Sequence, residues 1–181
     1  QDEKGRGLVF QHIYDYIRWN RPKVFILENV QGLTTLNNGE CLRYIIQQLV
    51  NIRDTYKTKQ QSYTIRHQIP NTRDHGIPHN RPRWYCVGIR KDCYRAGPPG
   101  QRFQFPSPIP CPSIDEILDD FGEKSDGLSY KRLSPTAQKN VSNARARILK
   151  RGHNPNTSSY VVDCDASQAR SREICNYTPC I

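Results

Sequence analysis

The sequence predicts an α/β fold, an open sheet flanked by helices, from three observations. Residues 8–19 have helical apolar spacing and are followed at once by an unbroken apolar run, Val24-Phe25-Ile26-Leu27. A second amphipathic helical stretch comes next. Two segments with strand-like alternation then follow. Helix, buried strand, helix is the rhythm of layered α/β domains, where each helix covers a face of the sheet.

The elements can be justified in order. In the first helix Phe10, Ile13, Tyr14 and Ile17 share one face. Asn20-Arg21-Pro22 ends it, because the residue before a proline avoids the helical region. The run Val24–Leu27 lacks polar alternation, which predicts a strand buried on both faces in a parallel sheet. Asn37 with Glu40 forms a capping-box-like start to the second helix, whose stripe is Leu42, Ile45, Ile46 and Leu49. Tyr63, Ile65, His67 and Ile69 alternate, as do Tyr85, Val87 and Ile89, giving two strands joined by a loop of Pro, Asn, Gly and Arg.

From Ala96 to Pro112 the chain turns Gly/Pro-rich, which reads as a linker dividing residues 1–95 from residues 96–181. Ser113 and Glu116 cap a further helix bearing Ile114, Ile117, Leu118 and Phe121. Ser134-Pro135 opens another, with Ala137, Val141, Ala144 and Ile148 as its stripe and Gly152 as its stop. Tyr160-Val161-Val162 reads as a short strand, and there is no internal repeat.

Composition narrows the classes of function. Apolar residues make up 35% of the chain, enough for a core, and no segment has the length of a membrane span. The net charge of +10 is uneven: residues 1–95 hold 16 Lys/Arg against 8 Asp/Glu, and the remainder 11 against 9. A basic excess suits a polyanion such as nucleic acid, though a basic solvated surface has the same composition. The seven cysteines include no Cys-x-x-Cys pair and no zinc-finger spacing with His, so no metal site is expected. They read as reduced thiols of an intracellular protein, and the Asn-x-Ser/Thr triplets at Asn140, Asn156 and Asn176 carry little weight. The chain opens on Gln1, holds no Met and closes on Cys180-Ile181, which reads as a segment cut from a longer protein.

Two features carry chemistry. Glu28-Asn29-Val30 follows the buried strand, and ligands of open α/β sheets bind outside the carboxyl ends of the strands. A carboxylate there, beside apolar walls, can share a proton with a ring nitrogen; it can equally be a cap or a surface residue. The second feature is Asp74-His75-Gly76-Ile77-Pro78-His79-Asn80-Arg81-Pro82-Arg83-Trp84. Arg81 and Arg83, two apart in an extended segment, leave on one face, with Pro82 stiffening the backbone between them. Such forked donors suit phosphate or the carbonyl edge of a base, and a lone Arg-Pro-Arg is as readily an exposed basic loop.

Taken together, Glu-Asn-Val after a strand and Gly-Ile-Pro-x-Asn-Arg-Pro-Arg entering a later one resemble the cytosine carbon-5 DNA methyltransferase family. The match is nearly continuous over Pro22–Leu33, and Arg6-Gly7-Leu8 and the stretch Phe105-Pro106 to Ile117-Leu118 are similar to further family passages. The resemblance implies the later part of a Rossmann-like, S-adenosyl-L-methionine-dependent methyltransferase sheet, followed by the start of a target-recognition region. It implies double-stranded DNA as partner, no membrane and no metal, with the enzyme nuclear if eukaryotic and cytoplasmic if bacterial.

In such enzymes the cytosine is flipped out of the duplex, and a cysteine thiolate adds to carbon 6, making carbon 5 nucleophilic. By this likeness Glu28 holds the ring nitrogen and exocyclic amine, Arg83 the carbonyl oxygen, and Arg81 helps position the base or the nucleophile. Asn29, Val30 and His79 border the substrate. His79 stands where the family usually has Gln. The Pro-Cys-Gln nucleophile motif and the glycine-rich cofactor loop are absent from this chain; Cys111 and Cys180 lie on the wrong side of Glu28. A tRNA cytosine-5 methyltransferase and a catalytically silent DNA-binding accessory paralogue are the alternatives, but Asn-Arg-Pro-Arg is nearer the DNA enzymes.

Overall fold

The computed structural model describes residues 8–54, 60–93, 102–118 and 132–178. The chain divides into two compact units, Gln1–Pro70 with Pro82–Pro106 and Asn71–Arg81 with Ser107–Ile181.

The first unit contains α1 (Leu8–Asn20), β1 (Val24–Val30), α2 (Glu40–Val50), β2 (Tyr63–Gln68) and β3 (Arg83–Arg90). Its three-stranded sheet has the order β1-β3-β2, with β3 antiparallel to both neighbours. An α/β layering is present, but the expectation of a parallel, doubly buried strand is corrected. Phe25 is 8% exposed while Ile26 is 65% exposed. Among the described residues β1 pairs on one side only, and the helices cover only the face carrying Phe25 and Leu27. An apolar run reports hydrophobicity; it does not count the faces that neighbours cover.

That covered face forms the core, where Ile17, Phe25, Leu49, Ile52, Tyr63, Trp84 and Cys86 pack together. Phe25 lies directly across from Gly88, and a Cβ at residue 88 would come within 2.1 Å of the phenyl ring. The Tyr63 ring meets Phe25 edge-on at 5.1 Å, and its hydroxyl donates to the Pro22 carbonyl at 2.8 Å. These contacts fix β1 against β2 and β3. Arg21, at φ 48°, ends α1 as expected, and its guanidinium reaches Asp54 at 2.7 Å.

The start of α2 differs from expectation. Asn37 and Asn38 take left-handed conformations and Gly39 follows at φ 80°, so no side chain caps the helix. Asn and Gly tolerate that region, and the chain turns sharply instead of opening a capping box.

In the second unit, α3 (Pro135–Lys150) precedes an antiparallel pair, β4 (Tyr160–Val162) and β5 (Glu173–Cys175). Ser134 caps α3, accepting from the Ala137 amide at 3.2 Å, and Gly152 follows the helix at φ 78°. The Ser113–Glu116 capping box is present, but its described turn is a short 3₁₀ segment, Ile114–Glu116; Phe121 lies outside the described residues. Asn140, 1% exposed, donates to the carbonyls of Cys164 and Ala166, each at 2.9 Å, so this triplet asparagine is a structural tie. No described helix is long and apolar enough to cross a membrane.

Candidate functional site

The strand β1 runs on through Val30, so Glu28, Asn29 and Val30 lie within it and not beyond its end. The register pairs Glu28 with Tyr85 and Val30 with Arg83, which makes Glu28 and Arg83 diagonal neighbours on one face. Arg83 Nε stands 3.1 Å from Glu28 Oε1, with the side chains 12% and 46% exposed respectively. The Arg83 amide donates to the Pro70 carbonyl at 3.1 Å, and its Nη1 donates to the Pro82 carbonyl at 2.9 Å. A well-held guanidinium therefore fixes one oxygen of a carboxylate that stays open to a ligand.

Beside them, Asn29 Oδ1 accepts from the Val30 amide at 2.8 Å, and Val30 is exposed. Glu28, Leu27, Asn29, Leu33, Phe10 and Trp84 border a cavity of about 800 Å³ within this unit. Trp84 is 2% exposed, and its buried indole N–H has no hydrogen-bond partner among the described residues. Sequence reasoning did not select Trp84; its only signal was its place next to Arg83.

The second unit holds the other predicted residues. The His79 amide donates to the Ile77 carbonyl at 2.6 Å, and its own carbonyl accepts from the Thr72 hydroxyl. The Arg81 amide donates to Asn71 Oδ1 at 2.8 Å. Strand β3 begins at Arg83, so Arg81 lies ahead of it, with its amide held by a side chain and not by the sheet. The structure thus brings Glu28, Asn29, Val30 and Arg83 together in one unit and puts His79 and Arg81 in the other.

Burial pushes the Cys86 thiol up to about 12, which keeps it protonated and unreactive near neutral pH. Cys111 is half-buried, its thiol donating to the Pro112 carbonyl at 3.4 Å, and Cys180 lies outside the described residues. No group of three or more His, Cys, Asp or Glu among the described residues could hold a metal ion.

Residues 1–175 match the family model described as C-5 cytosine-specific DNA methylase. The chain belongs to that family. Among curated proteins it is 32% identical over 139 residues to the Type II methyltransferase M.NgoBI of Neisseria gonorrhoeae, covering 73% of this chain and 38% of that protein. It is also 32% identical over 136 residues to M.HaeII of Haemophilus aegyptius, covering 71% and 37%. Among solved structures, a Spodoptera frugiperda DNMT2 mutant aligns at TM-score 0.48 and 18% identity, covering 75% of this chain and 37% of that one. The chain spans less than two fifths of the length of these methylase relatives. Both carrying motifs, at Glu28 and at Arg81–Arg83, fall inside the stretch that matches the methylase family.

Proposed function

We propose that the protein carrying this chain methylates carbon 5 of a flipped cytosine in double-stranded DNA, and that Glu28 and Arg83 hold the base. The observation that carries this reading is the 3.1 Å pairing of Arg83 with Glu28, within one unit, of two side chains far apart in sequence. Cytosine presents an acceptor, an acceptor and a donor along its pairing edge. A Glu28 carboxyl can share a proton with the ring nitrogen through one oxygen and accept from the exocyclic amine through the other. Arg83 can donate to the carbonyl oxygen as negative charge develops there. Their contact sets the angle of the carboxyl before the base arrives, so little reorganisation is left for the reaction itself. Arg81 helps place the base, with Asn29, Val30 and His79 at its borders, and residues 96–181 open a target-recognition region.

S-adenosyl-L-methionine is the methyl donor this reading requires. Among the described residues, the segment from β1 to α2 carries two glycines, Gly32 and Gly39, set far apart, and they do not make the glycine-rich loop that a cofactor cradle of this kind uses. What this chain contributes is the grip on the base.

The test is transfer of labelled methyl from S-adenosyl-L-methionine to duplex DNA and to tRNA by the full-length protein, with Glu28→Gln alongside. Label should appear at cytosine in DNA and fall roughly a hundredfold or more in the variant, the range for losing a proton-transfer group. Label in tRNA alone would move the substrate to RNA. Binding of DNA with no label in either would leave a silent accessory protein.

A further inference from the structure

The segment between β2 and β3 is organised around one side chain. Asn71 Nδ2 donates to Asn80 Oδ1 at 2.7 Å, while Asn71 Oδ1 accepts from the Arg81 amide at 2.8 Å and from the Arg73 amide at 3.4 Å. Both ends of the loop are therefore tied to the same carboxamide. The Thr72 hydroxyl donates to the His79 carbonyl, and the Asp74 and His75 amides return to the carbonyls of Asn71 and Thr72 at 2.9 and 3.0 Å. Gly76 turns the loop at φ 79°. Pro82 has no N–H to give, so the Arg81 amide is the last donor before Arg83, and it goes to Asn71 instead of to a strand.

We propose that Asn71 is a positioning residue for methyl transfer: its carboxamide fixes the backbone at Arg81 and with it the aim of the Arg81-Pro82-Arg83 segment at the base. This rests on the function proposed above. Asn71 is half-buried and uncharged, and nothing places it against the base; its effect runs through the loop. An acceptor oxygen at this position is what the Arg81 amide needs. A carboxylate there keeps that oxygen and loses only the donor to Asn80, whereas a methyl group keeps neither.

The experiment compares Asn71→Ala and Asn71→Asp with wild type in the full-length protein. Single-turnover methyl transfer and KM for DNA are measured, with hydrogen exchange at the Arg81 amide and thermal unfolding alongside. The expected result for Asn71→Ala is a transfer rate lower by roughly tenfold to a hundredfold, the scale of a misplacement of about an ångström. The Arg81 amide should lose protection while the unfolding temperature stays near wild type. Asn71→Asp should recover most of both the rate and the protection. An Asn71→Ala rate equal to wild type overturns the proposal. So does a slowed variant whose Arg81 amide stays protected, or one in which Asp rescues no better than Ala. Wild-type protein that transfers no methyl group sinks the functional reading and this role with it; when Asn71 alone is the error, the wild type is active.

Discussion

Glu28 and Arg83 meet because of strand register, and the strength of their contact depends on the shape of the guanidinium. Arg83 faces Glu28 through Nε while Nη1 holds the Pro82 carbonyl, so one planar group serves two partners at fixed angles. Lysine brings the same charge on a flexible stem with no fork, and cannot keep both contacts. Arg83→Lys should therefore lower kcat for methyl transfer by roughly tenfold or more while DNA binding persists, because the loss falls where charge develops on the base. Steady-state kinetics on duplex DNA check this; a variant with wild-type kcat would show that charge alone suffices. The residue types of this pair were legible from the sequence, as were their motifs. Trp84 and Asn71 were not, since one is an ordinary strand aromatic and the other an ordinary turn asparagine until their neighbours are known.

At the scale of the elements, close packing of β1 on β3 depends on a missing side chain. Phe25 lies where a Cβ at residue 88 would fall, 2.1 Å from the ring atom. Gly88→Ala would force the phenyl ring out of its contact with Tyr63, and overpacking of this kind costs about 1–3 kcal/mol. Chemical denaturation should show that loss, and Gly88→Ala combined with Phe25→Leu should recover part of it. Unchanged stability in the single variant would mean that β1 can shift without cost. Helices α1 and α3 and strands β2 and β3 were readable from periodicity and caps, because those signals are local. The start of α2 was not: the spacing of Asn37 and Glu40 imitates a capping box, and the left-handed run from Asn37 to Gly39 has no signature in spacing. Strand β5 was not delimited, since Glu-Ile-Cys lacks the aromatic and β-branched run that marks the equally short Tyr160-Val161-Val162.

Across the molecule, the second unit relies on a concentrated charge cluster. Glu173, 6% exposed at its side chain, receives Arg147 Nε at 2.9 Å and Nη2 at 2.5 Å, and Arg151 as well. The hydrogen bonds from Arg147 hold its carboxyl below the usual value of 4.5, outweighing the opposing effect of burial. A carboxyl lowered by folding stabilises the folded state fully above its unfolded value, and that contribution fades as pH falls through the lower folded value. Stability should thus drop as the pH is taken from about 5 toward about 3, and Glu173→Gln should flatten this part of the profile. Urea unfolding followed at several pH values checks it; an acid limb of the same slope in the variant would assign the sensitivity to other carboxylates.

The sequence by itself determined the α/β class, the family, and both motifs that furnish the base-holding residues. Each of these is written in local pattern: apolar spacing, turn residues, and runs such as Glu-Asn-Val and Asn-Arg-Pro-Arg. Only the tertiary structure decided the strand order β1-β3-β2, the one-sided burial of β1, and the meeting of Glu28 with Arg83. It also decided that Asn71 ties both ends of its loop. The reason is that pairing partners and register depend on free-energy differences between whole arrangements of the chain, to which each residue's own propensity contributes little.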